Sequence, residues 1–205
     1  MKRTPYAAID VALLPPENIA ETARQINRAL RTEHPEGFAL DDTHLPHLTL
    51  VQQYILTADL LDVFTNVDTV LASFKPVILT VTGIAGASFG GISVPFMVLQ
   101  QDSELQRLHE ELLDRLLPFS QDVRTAAAFM RDRGEIIRPT SIAYVADFTS
   151  RSARKNFDPH ITLGVGDAPD LETPLTGSAS VVAVCHLGNF NTCRRILRSW
   201  MLSRG

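Results

Sequence analysis

Pro46-His47-Leu48-Thr49-Leu50 and Pro159-His160-Ile161-Thr162-Leu163 carry one pattern: proline, histidine, apolar, threonine, apolar. Successive side chains of a strand alternate between its faces, so each histidine shares a face with its own threonine. The aliphatic pair points the other way. One such pentapeptide offers an imidazole beside a hydroxyl. Two brought together offer two of each, a set sufficient for metal-free acid–base chemistry on a phosphate. Only 6 histidines occur in the 205 residues, and two of them stand in these matching positions.

The flanking sequence supplies a frame. Tyr6 to Leu14 reads as a strand, ended by Pro15-Pro16, and Ile19, Ala23, Ile26 and Leu30 give 17–32 a helical period. A polar loop leads to a motif strand over His47 to Ile55. Thr57 reads as the cap of a second helix whose apolar stripe is Leu60, Phe64, Val67, Leu71 and Phe74. Val77 to Ile84 reads as a strand, and Gly83, Gly86, Gly90 and Gly91 as a flexible connection with no P-loop lysine after it. Ile92 to Gln100 follows, with Pro95 suggesting a bulge or an unpaired position. Asp102 caps a helix bearing Leu105, Leu108, Leu112 and Leu116, with His109 on its apolar side as a structural histidine. Beyond Pro118 the pattern gives a short helix at 126–133. It gives a strand over Thr140 to Phe148, from the alternation of Ile142, Tyr144 and Ala146. The second motif strand covers Phe157 to Val165, and a hairpin over 180–202 closes the chain.

Strand, helix and motif strand thus occur at 6–55 and again at 92–165, an architectural duplication. The expected fold is α+β: a single bilobal domain over 1–205, with an insertion near 118–155. Its two pseudo-symmetric lobes are each a mainly antiparallel sheet with outer helices, and they flank a central groove with one His-x-Thr on each wall.

Composition narrows the function. The net charge of −4 argues against a general binder of long nucleic acid, although residues 124–155 carry seven basic side chains against three acidic ones. That segment is either a solvated loop or a local funnel for an anion. No apolar stretch is long enough to span a bilayer, and Asp10 interrupts the N-terminal apolar run, so a cytoplasmic protein that binds no membrane is expected. Cys185 and Cys193 flank a turn. Free thiols suit a reducing cytoplasm, with a cross-hairpin disulfide as the alternative. His44 and His47 with His160 could be taken as metal ligands, but a strand-borne His-x-x-His lacks same-face geometry, and no metal or cofactor is expected. His34 and His186 read as surface or structural residues. Tyr144, Phe148 and Phe157 are rings able to stack on a base, against the competing reading of a second-lobe core. Arg151, Arg154 and Lys155 are either phosphate contacts or a solvated charge run.

The pair PHLTL and PHITL resembles the signature of the two-histidine (2H) phosphoesterase superfamily, which includes bacterial RNA 2′,3′-cyclic phosphodiesterases, also called 2′-5′ RNA ligases. The opening strand, the stretch from Thr80 through Gly83, Phe89 and Val98, and the closing hairpin are similar to the family more loosely. The resemblance implies two lobes around a V-shaped groove. It implies catalytic roles for His47 and His160, phosphate-holding roles for Thr49 and Thr162, and no metal. The implied activity is hydrolytic opening of a 2′,3′-cyclic phosphate on an RNA end or small nucleotide, by a monomer with no obligatory protein partner. The alternatives are 2′-5′ ligation and a module that binds phosphate or nucleotide ends without turnover.

Overall fold

The computed structural model describes residues 5–89, 91–167 and 170–203. Gly90, which entered the sequence reading, lies outside them. The described chain contains β1 (Tyr6–Leu14), α1 (Glu17–Glu33), β2 (Leu48–Leu56), α2 (Leu60–Leu71), β3 (Val77–Phe89), β4 (Ile92–Leu99), α3 (Ser103–Leu116), α4 (Pro139–Arg151), β5 (His160–Thr162), β6 (Leu175–Ala179), β7 (Val181–Leu187) and β8 (Cys193–Met201). All strand pairings are antiparallel, in one curled sheet of order β6-β3-β4-β5-β2-β1-β7-β8.

The order explains the duplication. β5 and β2, the motif strands, lie side by side at the centre. β4 and β1 flank them; β3 with β6 completes one half, and the β7–β8 hairpin completes the other. The two lobes are therefore halves of one sheet, joined where the motifs pair. α1, α2 and α3 bury Ile19, Ala23, Leu30, Val63, Val67, Leu105, Leu108 and Leu112 against one face of that sheet. That face carries Ile9, Val11, Leu13, Leu48, Leu50, Ile161 and Leu163, so both motifs anchor their apolar residues in the same core. Asp102 accepts from the amides of Glu104 and Leu105, as a cap should.

Several elements differ from the sequence reading. The segment 140–148 is helical, not extended. Pro139 occupies the first turn of α4, and Ser141, Val145 and Phe148 are its buried residues at helical spacing. The alternation of Ile142, Tyr144 and Ala146 samples two sides of that helix. The helix expected at 126–133 shrinks to a single 3-10 turn at Ala126–Ala128, after which Phe129 is extended. Thr57 donates to the Pro5 carbonyl and does not cap α2. Gly83 and Gly86 belong to β3, and the irregularity of this hairpin falls between Val81 and Gly83, while Pro95 stays in register with Gly86. The second motif strand is only three residues long, because Pro159 precedes it and Gly164 follows at φ +154°.

The residues following Leu116 fold over the far face of the sheet. Ala128, Phe129, Ile137 and Val145 pack there on Ala8, Tyr54 and Leu187, and Tyr54 donates its hydroxyl to the Ile142 carbonyl. His109 is fully buried. Its Nδ1 lies 2.6 Å from the Leu50 carbonyl, its Nε2 accepts from the Arg154 amide, and its ring stacks on Phe157. It braces one motif segment against the approach to the other.

A second brace is Asn27, 1 % exposed on α1. Its amide donates to the carbonyls of Phe38 and Leu163, and its oxygen accepts from the Leu40 amide. Gly164 permits this approach, since a Cβ there would come within 3.1 Å of the Asn27 nitrogen. Asn27→Ala leaves three buried backbone groups unpaired and should destabilise the fold by about 2–4 kcal/mol. Urea denaturation measures this, and a loss under about 0.5 kcal/mol, the range of a neutral surface change, would contradict it.

Candidate active site

Leu48 pairs with Ile161, so one step along the antiparallel strands sets His47 opposite Thr162 and Thr49 opposite His160. Opposed residues point to the same side of a sheet, and the four polar side chains form a square on the face away from α1–α3. Burial follows: His47, Thr49, His160 and Thr162 are partly exposed, while Leu48, Leu50, Ile161 and Leu163 are fully buried.

The prolines act through the histidine rings. Nδ1 of His47 lies 2.8 Å from the carbonyl of Leu45, and Nδ1 of His160 lies 2.7 Å from the carbonyl of Asp158. In both cases the partner is two residues back, across an extended X-Pro step. A carbonyl oxygen only accepts, so Nδ1 carries the hydrogen in each ring, leaving Nε2 free for chemistry. The two motifs thus share ring orientation as well as sequence.

Their surroundings differ. His160 is shielded on one side by the Phe96 ring, 5.0 Å away between centroids. Burial pushes its imidazole below the usual histidine value, against the opposing pull of the Asp158 carbonyl and carboxylate. His47 instead has a carboxylate beside it, with Asp10 Oδ2 3.6 Å from its Nε2. Asp10 is fully buried in β1, and Oδ2 accepts from Thr49 Oγ1 and from Gln52 Nε2, both at 2.7 Å. Asn191 Nδ2 donates in turn to Gln52 Oε1. A bulge makes this possible. The β1–β2 register shifts between Val11 and Ala12, so Asp10 faces Gln52 while Ala12 faces Thr49. Thr49 and Gln52, three apart, thereby reach one face.

Asp10, Gln52 and Asn191 escape the sequence reading. A single aspartate inside the apolar run YAAIDVALL is the available signal, and that reading treats it only as an interruption. The other predicted residues scatter. Tyr144 is partly buried on α4, with a phenol that burial raises and that lies within electrostatic reach of Asp10 and Asp158. Phe157 is 6 % exposed with one ring face covered by His109, and this burial favours the core alternative. Arg151 is exposed at the end of α4 beside Asp147, and Arg154 pairs with Asp114. His44 lies in the 41–44 loop against Thr43 and Asp41. His34 is a surface residue beside Glu36, and His186 is held by the Ala128 carbonyl. Cys185 and Cys193 are buried free thiols. A surface hollow of about 490 Å³ lies against α1 between Arg24, Arg28, Arg31 and Asp41 and includes none of the motif side chains.

Burial is the main reason that the Asp10 carboxyl is raised, with His47, Thr49, Gln52 and His160 opposing it. A carboxyl raised by folding contributes stability at low pH that is lost as pH rises through its folded-state value. Asp10→Asn escapes that loss, since the amide oxygen can still receive Thr49 and Gln52. The Tm of Asp10→Asn minus that of wild type should therefore grow from pH 4 to pH 8. A difference that is flat or shrinks with pH contradicts this account of the buried carboxyl.

Structural comparison gives relatives of the same fold. TT0787 of Thermus thermophilus matches with a TM-score of 0.61 at 17% identity, covering 95% of this chain and 97% of that one. The apo form of E. coli LigT matches with a TM-score of 0.51 at 18% identity, covering 98% and 100%. LigT complexed with phosphate gives the same values. No curated protein sequence matches. A family model described as the 2′-5′ RNA ligase superfamily matches residues 15–181, and the chain belongs to that superfamily.

Proposed function

We propose that this chain is a metal-independent cyclic phosphodiesterase that opens a 2′,3′-cyclic phosphate on an RNA end or small nucleotide. The observation that carries the reading is the pair of Nε2 atoms on adjacent strands, each freed by an Nδ1–H bond to a backbone carbonyl. Membership of a superfamily of ligases and phosphoesterases supports it, as do the LigT complexes with phosphate and 3′-AMP.

The asymmetry around the rings supports one division of roles. Neutral His160, favoured by its burial, takes a proton from water as the water oxygen attacks phosphorus. Protonated His47, beside the Asp10 carboxylate, gives its proton to the departing 3′ oxygen as the P–O3′ bond breaks. The product is a 2′-phosphate. Thr49 and Thr162 donate to the phosphoryl oxygens as charge accumulates there. For Thr49 this means turning its hydroxyl from Asp10 to the substrate. Phe96, partly exposed beside His160 and opposite Thr162, offers a ring for the nucleoside. With a 5′-hydroxyl in place of water, His160 takes the hydroxyl proton as its oxygen attacks phosphorus, the P–O3′ bond breaks and His47 protonates O3′, which gives a 2′-5′ linkage instead of a 2′-phosphate.

His47→Ala and His160→Ala should each lower turnover by about a hundred- to ten-thousand-fold, and Thr49→Ala or Thr162→Ala by less. The double histidine variant should fall well short of the product of the single losses. Near-normal turnover in either histidine variant would remove that residue and favour a binding module. Chelator should not lower the rate; abolition by chelator and restoration by a divalent ion would refute the metal-free step.

The profile of kcat/KM against pH should be bell-shaped. The base must be unprotonated, so activity falls on the acid side as His160 gains its proton. Because burial lowers His160, that limb should lie below the ordinary histidine value of 6.5. An acid limb well above 6.5, unchanged in Asp10→Asn, would contradict the assignment of His160 as base.

A further inference from the structure

Asp10, His47 and Cys193 converge from three parts of the chain: β1, the approach to β2, and the first residue of β8. One carboxylate oxygen, one imidazole nitrogen and the thiol sulfur lie within 4.8 Å of one another. Asp10 and Cys193 are each fully buried. The second Asp10 oxygen, Oδ1, is buried without a hydrogen-bond partner, although Oδ2 has two. An orphaned carboxylate oxygen in a closed site is costly and marks a place where a further group can bind.

We propose that these three side chains form a zinc site, and that Zn²⁺ bound there switches off the acid–base reaction by occupying the His47 imidazole. Carboxylate, imidazole and thiolate suit Zn²⁺ over Mg²⁺ or Ca²⁺, which prefer oxygen ligands alone. A tetrahedral zinc ion places its nitrogen and oxygen ligands about 3.3–3.4 Å apart. His47 Nε2 and Asp10 Oδ2 are already 3.6 Å apart. A supporting shell is also present. His47 Nδ1 donates to the Leu45 carbonyl, the arrangement that fixes a metal-ligating histidine, and the Leu45 amide donates to the Cys193 carbonyl. The Leu45 backbone therefore ties the imidazole to the cysteine.

The Cys193 thiol keeps its proton in the free protein, because burial and its neighbour Cys185 raise it. Binding exchanges that proton for the ion: the S–H bond breaks, a Zn–S bond forms, and the proton goes to solvent. No other covalent bond changes. The lone pair of His47 Nε2 is then shared with the metal and cannot hold the proton that the leaving oxygen needs. The inhibitory effect rests on the preceding functional reading, whereas the binding of the ion does not.

The test uses the purified full chain and Co²⁺ as a coloured stand-in for Zn²⁺. Expected are one ion per chain, a thiolate-to-cobalt charge-transfer band, and displacement of that band by Zn²⁺. Cys193→Ser should lose the band and bind Zn²⁺ at least about tenfold more weakly. It should keep wild-type turnover without metal while becoming insensitive to added Zn²⁺. Circular dichroism checks its folding; if it does not fold, His47→Gln, at a partly exposed position, carries the binding test and should weaken Zn²⁺ similarly. Absence of the charge-transfer band, or equal Zn²⁺ affinity in a folded variant and wild type, overturns the site. A normal band with cobalt, together with no turnover of cyclic phosphate by the metal-free protein, sinks the phosphodiesterase reading and leaves the metal site standing. Metal binding with undiminished turnover overturns the switch.

Discussion

The pairing of Leu48 with Ile161 is the constraint on which the rest depends. It is a short contact, since β5 has only three residues. Yet it fixes register, and register in a sheet is all-or-none. A slip of one residue in either strand would turn that strand's histidine and threonine into the helical core and bring its aliphatic residues to the opposite face. The full burial of Leu48, Leu50, Ile161 and Leu163 opposes that slip from both strands at once. Asn27, which holds the carbonyl of Leu163, and His109, which holds that of Leu50, clamp the same two strands from the helices.

Pseudo-symmetry carries the chemistry halfway, and its breaking carries the rest. Two X-Pro-His steps deliver two imidazoles in one tautomer with Nε2 free. Identical rings in identical settings would leave the acid and base roles interchangeable. Phe96 and burial act on His160, and the Asp10 carboxylate acts on His47. In the proposed mechanism these environments separate two like groups into two roles. The same Asp10 lies beside a buried thiol, so the residue that supports the proposed acid also opens that site to a soft cation.

Much of this was legible in the sequence because it is local. Helical period gave α1 and α3, and alternation within each pentapeptide gave the shared face of His and Thr. Strand–helix–motif order pointed to two related halves. What failed was either local ambiguity or long-range geometry. Ile142, Tyr144 and Ala146 alternate, yet Pro139 at the first turn and burial at Ser141, Val145 and Phe148 belong to a helix. Asp10, Gln52 and Asn191 meet through a β-bulge and a distant turn, and Cys193 reaches His47 through a bridge to Leu45. No spacing in the chain encodes those meetings. Phe157 looked available for a base until the ring of His109 covered one of its faces.

The central claim is that the Nε2 atoms of His47 and His160 converge on one phosphate. The most direct measurement is a titration of ¹⁵N-histidine-labelled protein with a nucleoside 2′-phosphate, observing the imidazole nitrogens in metal-free buffer. The account predicts that Nε2 of both residues shifts along one saturation curve while both Nδ1 hydrogens stay in place, with His109 and His186 unmoved. Movement of only one of the two, or two curves with different midpoints, would contradict a single shared phosphate site.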